Sequence, residues 1–201
     1  MKRHSATAVL RDEHRLILRV VEAFEAMISV PDPAALPFDD IEQAIVFFRL
    51  FTDACHHGKE EDLLFAALEN QDVPGVDGPV AVMRDEHIHG RTLVGRLAGA
   101  LTVARDGSVG NGGSDARVAP LRSAGASYID FIRAHISKED DGLFEMADQV
   151  VQGAACASLC DAYDTVCSRR FEGRSLDDLE ALAARLIERQ RSLDVSALRT
   201  G

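Results

Sequence analysis

The chain has 201 residues, 46% hydrophobic and 27% charged, with a formal net charge of -11. That size and balance fit one large domain, or a domain with an extension, able to bury a sizeable core. An acidic chain without a run of Lys and Arg excludes nucleic acid and anionic lipid as main partners, because both require a basic footprint.

Met1-Lys2-Arg3-His4-Ser5 leads into a charged amphipathic segment rather than an apolar signal core. No stretch approaches the roughly 20 apolar residues that span a bilayer. A cytoplasmic location without membrane contact is therefore expected. The first helical pattern covers about 5–28 and stops at the Pro-rich segment 29–37, where prolines lack amide donors and restrict their predecessors. The second covers about 39–69, with Ile41, Ile45, Phe48, Phe51 and Cys55 at three- and four-residue steps and Asp39 and Asp40 suited to its start. After a loop at 70–79, Pro79 suits the first turn of a third helix, about 79–104. A Gly-rich connection at 105–120 precedes a fourth, about 116–150. Two further helices are expected at about 153–171 and 176–191, the second opened by a capping pair, Ser175 and Asp178. No segment alternates with a period of two.

The expected architecture is all-α: an up-down four-helix bundle over 5–150, with a C-terminal helical extension over 151–201. The extension reads as packing on the bundle, as a lid, or as a homodimer interface. Cys156, Cys160 and Cys167 share one face of it. They read as small apolar packing residues, with a thiol cluster as the sharper alternative. No C-x-x-C pair occurs among the four cysteines.

An internal repeat locates the chemistry. Leu10-Arg11-Asp12-Glu13-His14 recurs as Met83-Arg84-Asp85-Glu86-His87, and His56-His57-Gly58-Lys59-Glu60 recurs as His135-Ile136-Ser137-Lys138-Glu139, each followed by Leu-Phe. Each half thus reads as a helical hairpin with one His on its first helix and His-x-x-x-Glu on its second. His57 and Glu61 have the same spacing as His56 and Glu60, but their counterparts are Ile136 and Asp140. Only the His56–Glu60 register is shared. Residues i and i+4 lie on one helical face, so His14, His56, Glu60, His87, His135 and Glu139 converge if both hairpins turn the same face inward. Burying four imidazoles and two carboxylates without a cation would be costly. A metal offsets that cost, and this donor mixture suits iron ahead of manganese or zinc. His4, His57 and His89 are expected at the surface, as are Lys59 and Lys138. Arg91 is expected in a surface ion pair. Tyr128, two turns before His135, either packs in the core or reaches the site.

The DEH motif, H-x-x-K-E-(E/D)-x-x-L-F, and Glu86-His87-Ile88-His89-Gly90-Arg91 resemble the hemerythrin-like, HHE cation-binding family over about 8–150. The resemblance implies two iron ions bridged by two carboxylates and a solvent-derived oxo or hydroxo group. Carried over, its metal ligands are His14, His56, Glu60, His87, His135 and Glu139. It further implies a small-molecule ligand: dioxygen, hydrogen peroxide or nitric oxide. Peroxidase- or catalase-like turnover or nitric oxide processing is one expectation, and a non-catalytic iron or oxygen sensor or store is the alternative. The oxygen-carrying members have His-x-x-x-His on their third helix, whereas Arg91 stands four residues after His87 here. With six ligands the two irons are similarly coordinated, which favours oxidation over a lasting dioxygen adduct.

Overall fold

The computed structural model describes residues 5–74, 77–106 and 113–200, without the side chains of 194–200. His4 and the glycines at 107, 110 and 112 lie outside that set. The first rod of the bundle is α1 (Ala8–Ile28). The second begins as α2 (Phe38–Phe47), widens into π-helical turns at Phe48–His57 and Glu60–Leu64, and ends as α3 (Phe65–Glu69). Backbone torsions at Phe48, Gly58 and Phe65 stay helical, so this rod is continuous. The third rod is α4 (Pro79–Asp106). The fourth runs from α5 (Ser114–Lys138) through a π-helical turn at Glu139–Leu143 into α6 (Phe144–Val150). Pro120, expected to close the preceding loop, lies inside α5. Such π-helical turns are rare and concentrate at functional sites. Here they carry His56, Glu60 and Glu139.

The rods close into a ring, α1 against α2 and α5, and α4 against the same two. This is the expected all-α bundle. Its interior holds two apolar clusters. The larger includes Ile17, Phe24, Phe48, Leu97 and Ile132, and the smaller includes Leu10, Leu64, Phe65, Met83 and Phe144. On each rod the polar residues of the repeat fall between the two clusters, as His14 does between Leu10 and Ile17.

The extension packs onto both clusters. In α7 (Gly153–Cys167), Cys156, Leu159 and Tyr163 join the smaller one, and the Tyr163 hydroxyl donates to the Ala6 carbonyl at 3.1 Å. In α8 (Leu176–Thr200), Leu179, Leu182 and Leu186 join the larger one. The Ser175–Asp178 pair closes reciprocally at the start of α8: the Ser175 amide donates to Asp178 Oδ2 at 2.7 Å, and the Asp178 amide to Ser175 Oγ at 3.1 Å. No helix among the described residues is long and apolar enough to cross a membrane.

Candidate metal centre

All six residues that the repeat selects are buried and meet in the bundle interior. Glu60 and Glu139 each turn one oxygen toward each half of the site. Glu60 Oε1 lies 3.6 Å from His56 Nε2, and Glu60 Oε2 lies 3.4 Å from His87 Nε2. Glu139 Oε2 lies 3.2 Å from His14 Nε2, while its Oε1 lies 3.6 Å from His87 Nε2 and 3.4 Å from His135 Nε2. One imidazole pair is thus His14 with His56 and the other is His87 with His135, and both carboxylates span the two. Ring planes in each pair are inclined, by 59° and 76° respectively, so two in-plane lone pairs can meet at one point.

Eleven buried side-chain nitrogen and oxygen atoms among the described residues lack a hydrogen-bond partner. Nine belong here: Nε2 of His14, His56, His57, His87 and His135, and all four oxygens of Glu60 and Glu139. Buried polar atoms are normally paired. Apart from His57, the eight on the four imidazoles and two carboxylates converge in one place, where bound cations would satisfy them, and imidazole with carboxylate fits iron, manganese or zinc.

The repeat also builds the layer outside these donors. Glu13, preceding His14, accepts from His56 Nδ1 at 3.0 Å, and Glu86, preceding His87, accepts from His135 Nδ1 at 2.9 Å. The acid after each inner Glu serves the opposite hairpin: Glu61 accepts from His87 Nδ1 at 2.7 Å, and Asp140 from His14 Nδ1 at 3.0 Å. A carboxylate on Nδ1 fixes the tautomer that leaves Nε2 with its lone pair inward. Cations then hold the carboxylates: Lys59 on Glu13, Lys138 on Glu86, Arg11 on Asp140 and Arg91 on Glu61. The repeated Phe closes each end. Phe144 stacks on His14 at 5.1 Å with Arg11 over its ring, and Phe65 stacks on His87 at 5.7 Å with Arg84 over its ring.

Two expectations for surface residues fail. His57 is only 4% exposed, and its ring lies parallel to that of His87, with centroids 3.9 Å apart and planes at 8°. One of its ring nitrogens lies within 4.8 Å of ring nitrogens of His87 and His135, completing a three-His group beside the four-residue group of His14, His56, Glu60 and Glu139. Lys59 is fully buried against Glu13 and donates to Cys55 Sγ at 3.5 Å. Lys138, its repeat counterpart, is exposed as expected, and so is His89. Arg91 pairs with Asp53 and Glu61 at the surface, also as expected. Tyr128 is buried against Phe48, with ring centroids 4.6 Å apart. Burial pushes its phenol upward.

The metal-free donors differ in charge. Burial opposes protonation of His14, but Asp140 and Glu139 outweigh it and raise the group to about 9. Burial dominates at His56 and lowers it to about 4. Burial, with Glu139 alongside, drives Glu60 well above the usual carboxylate range. Despite burial, His14 and His87 hold Glu139 below it. At pH 7 the metal-free chain therefore carries a proton on His14. Cation uptake must expel it, so protons should be released on loading, and apparent affinity should rise with pH up to about 9. Indicator-dye titration in weak buffer measures this directly. Release near zero would contradict the protonated His14.

A family model described as the hemerythrin HHE cation binding domain matches residues 5–147. No curated protein and no solved structure matches the chain.

Proposed function

Because the chain belongs to the hemerythrin HHE cation-binding family, we propose that it holds two iron ions between its hairpins and reacts there with a small oxidant. The observation that carries this reading is the convergence of eight unpartnered donor atoms on His14, His56, His87, His135, Glu60 and Glu139, with each Glu presenting one oxygen to each imidazole pair. His14 and His56 would hold one ion and His87 and His135 the other, with both carboxylates bridging and a solvent-derived oxygen completing the link. Bound iron would supply one-electron chemistry and a coordination position for hydrogen peroxide, dioxygen or nitric oxide. The chain itself orients four imidazoles through Glu13, Asp140, Glu61 and Glu86. Its apolar clusters on either side keep bulk water from the donors.

Metal analysis of chain produced with iron should return about two ions per chain. Rapid mixing of the di-ferrous chain with hydrogen peroxide should give the ferric spectrum with measurable peroxide consumption. One zinc per chain, without a ferric charge-transfer band after oxidation, would refute the reading. Two irons inert toward every oxidant would leave the sensor or store as the function.

A further inference from the structure

The two halves of the centre are not equivalent, and the difference lies in a cavity of about 320 Å³ lined by His57, whose ring stacks on that of His87. Its walls include Phe48, Val94, Tyr128, Phe131 and Ile132, and His57 lines it as well. In the repeat, the small residues Gly90, Gly95 and Ala98 that help to line it correspond to Ile17, Glu22 and Glu25. His57 itself corresponds to Ile136. The first hairpin therefore fills with a branched apolar side chain the place that the second leaves open. Gly90 is required here: a Cβ on it would lie 2.9 Å from Phe131 Cε1, and Phe131 stacks on His135 at 5.6 Å.

His57 is built like the donors but turned differently. Its Nδ1 faces Asp53 Oδ1 at 3.4 Å, and Arg91 Nε donates to the same oxygen at 2.8 Å. A carboxylate so held only accepts, so Nδ1 carries the hydrogen and Nε2 the lone pair. That lone pair is buried and has no partner. An imidazole binds a cation in its own ring plane, and two parallel rings in face contact cannot both do so for one ion. With His87 stacked on it at 8°, His57 is excluded from sharing the ion of His87. Its lone pair is left beside that ion, available to a molecule arriving from the cavity.

We propose that the exogenous molecule enters through this cavity, binds at the ion position of His87 and His135, and donates a hydrogen bond to His57. The site thereby favours a small protic molecule of the hydrogen peroxide class over dioxygen or nitric oxide, which have no hydrogen to donate. A passage mainly apolar along Phe48, Val94, Tyr128, Phe131 and Ile132, with the paired Asp53 and Arg91 in its wall, admits such neutral molecules, and the position of His57 is Ile136 on the other half. This rests on the di-iron reading of the six donors.

The test uses the iron-loaded full chain and three variants. His57→Ile, which installs the residue of the other half, should keep two irons per chain. It should slow the peroxide reaction about tenfold, as loss of one hydrogen bond would, while nitric oxide binding, followed optically, stays within about twofold. His57→Gln, whose amide oxygen can accept, should recover most of the peroxide rate. Gly95→Leu lies where a Cβ meets nothing within 4 Å, so it should fold normally and slow peroxide and nitric oxide alike. Loss of an iron in His57→Ile would make His57 a ligand and overturn the proposal. Unchanged peroxide kinetics in His57→Ile, or unchanged kinetics of both molecules in Gly95→Leu, would overturn it as well. Absence of an iron pair in the unsubstituted chain would instead refute the di-iron reading itself.

Discussion

Glu60→Ala and Glu139→Ala are each expected to lose both irons rather than one. Each carboxylate places one oxygen beside His14 or His56 and the other beside His87 or His135, so either deletion weakens both ion positions. His14→Ala, by contrast, touches one pair only and should leave up to one iron per chain. A ligand held at a thousandfold its dissociation constant stabilises the folded state by about 4 kcal/mol. For a chain of this size that corresponds to a melting temperature lower by roughly 10 °C in the Glu variants than in the iron-loaded chain. The comparison reverses when the metal is absent. The unsubstituted metal-free chain buries two facing carboxylates, and replacing Glu60 relieves that opposition. Metal-free Glu60→Ala should therefore melt no lower than the metal-free unsubstituted chain. A single iron retained in Glu60→Ala would show that the carboxylates do not bridge.

The bundle and the burial of its six repeated His and Glu residues were legible because one pattern was written twice. The repeat of His, His-x-x-x-Glu and Leu-Phe selects residue types as well as periodicity, and all six are buried with each imidazole against Glu60 or Glu139. It also holds a signal that His57 is buried rather than at the surface. Ile136 in the corresponding position is apolar, and an apolar counterpart marks an interior position rather than a surface one; Ile136 is indeed buried. The mismatch that sets His57 apart from the shared His56–Glu60 register thus also marks its position as interior. Lys59 was not legible in the same way. Its counterpart Lys138 is exposed, and the two lysines differ because of the extension. The α7 helix runs against Glu60–Leu64 and brings Cys167 near Lys59. Long-range cover of this kind leaves no trace in local spacing. The outer carboxylates Glu13, Glu61, Glu86 and Asp140 were visible as repeated acids, but which imidazole each would serve depends on how the hairpins cross.

That asymmetry between Lys59 and Lys138 sets the second large effect. Glu13 and Glu86 occupy the same place in the repeat, and each fixes Nδ1 of one imidazole. Removing either should weaken iron binding by about 10- to 100-fold, the usual cost of losing such a partner. Their effects on stability should diverge. Glu13→Ala strands the Lys59 ammonium in the interior, where it is fully buried, and breaking a buried pair from one side costs about 3–5 kcal/mol. A melting temperature lower by about 10 °C should result, even in the metal-free chain. Glu86→Ala frees a lysine whose side chain is already 54% exposed, and the loss of such a pair costs less than about 1 kcal/mol. Differential scanning calorimetry of both variants without metal isolates this difference from the contribution of iron. Equal melting temperatures would show that Lys59 escapes to solvent when its partner is removed. The double variant Glu13→Gln with Lys59→Met separates the two roles of Glu13. A neutral, apolar replacement of the lysine should restore most of the stability, while iron affinity stays low because no carboxylate holds His56 Nδ1.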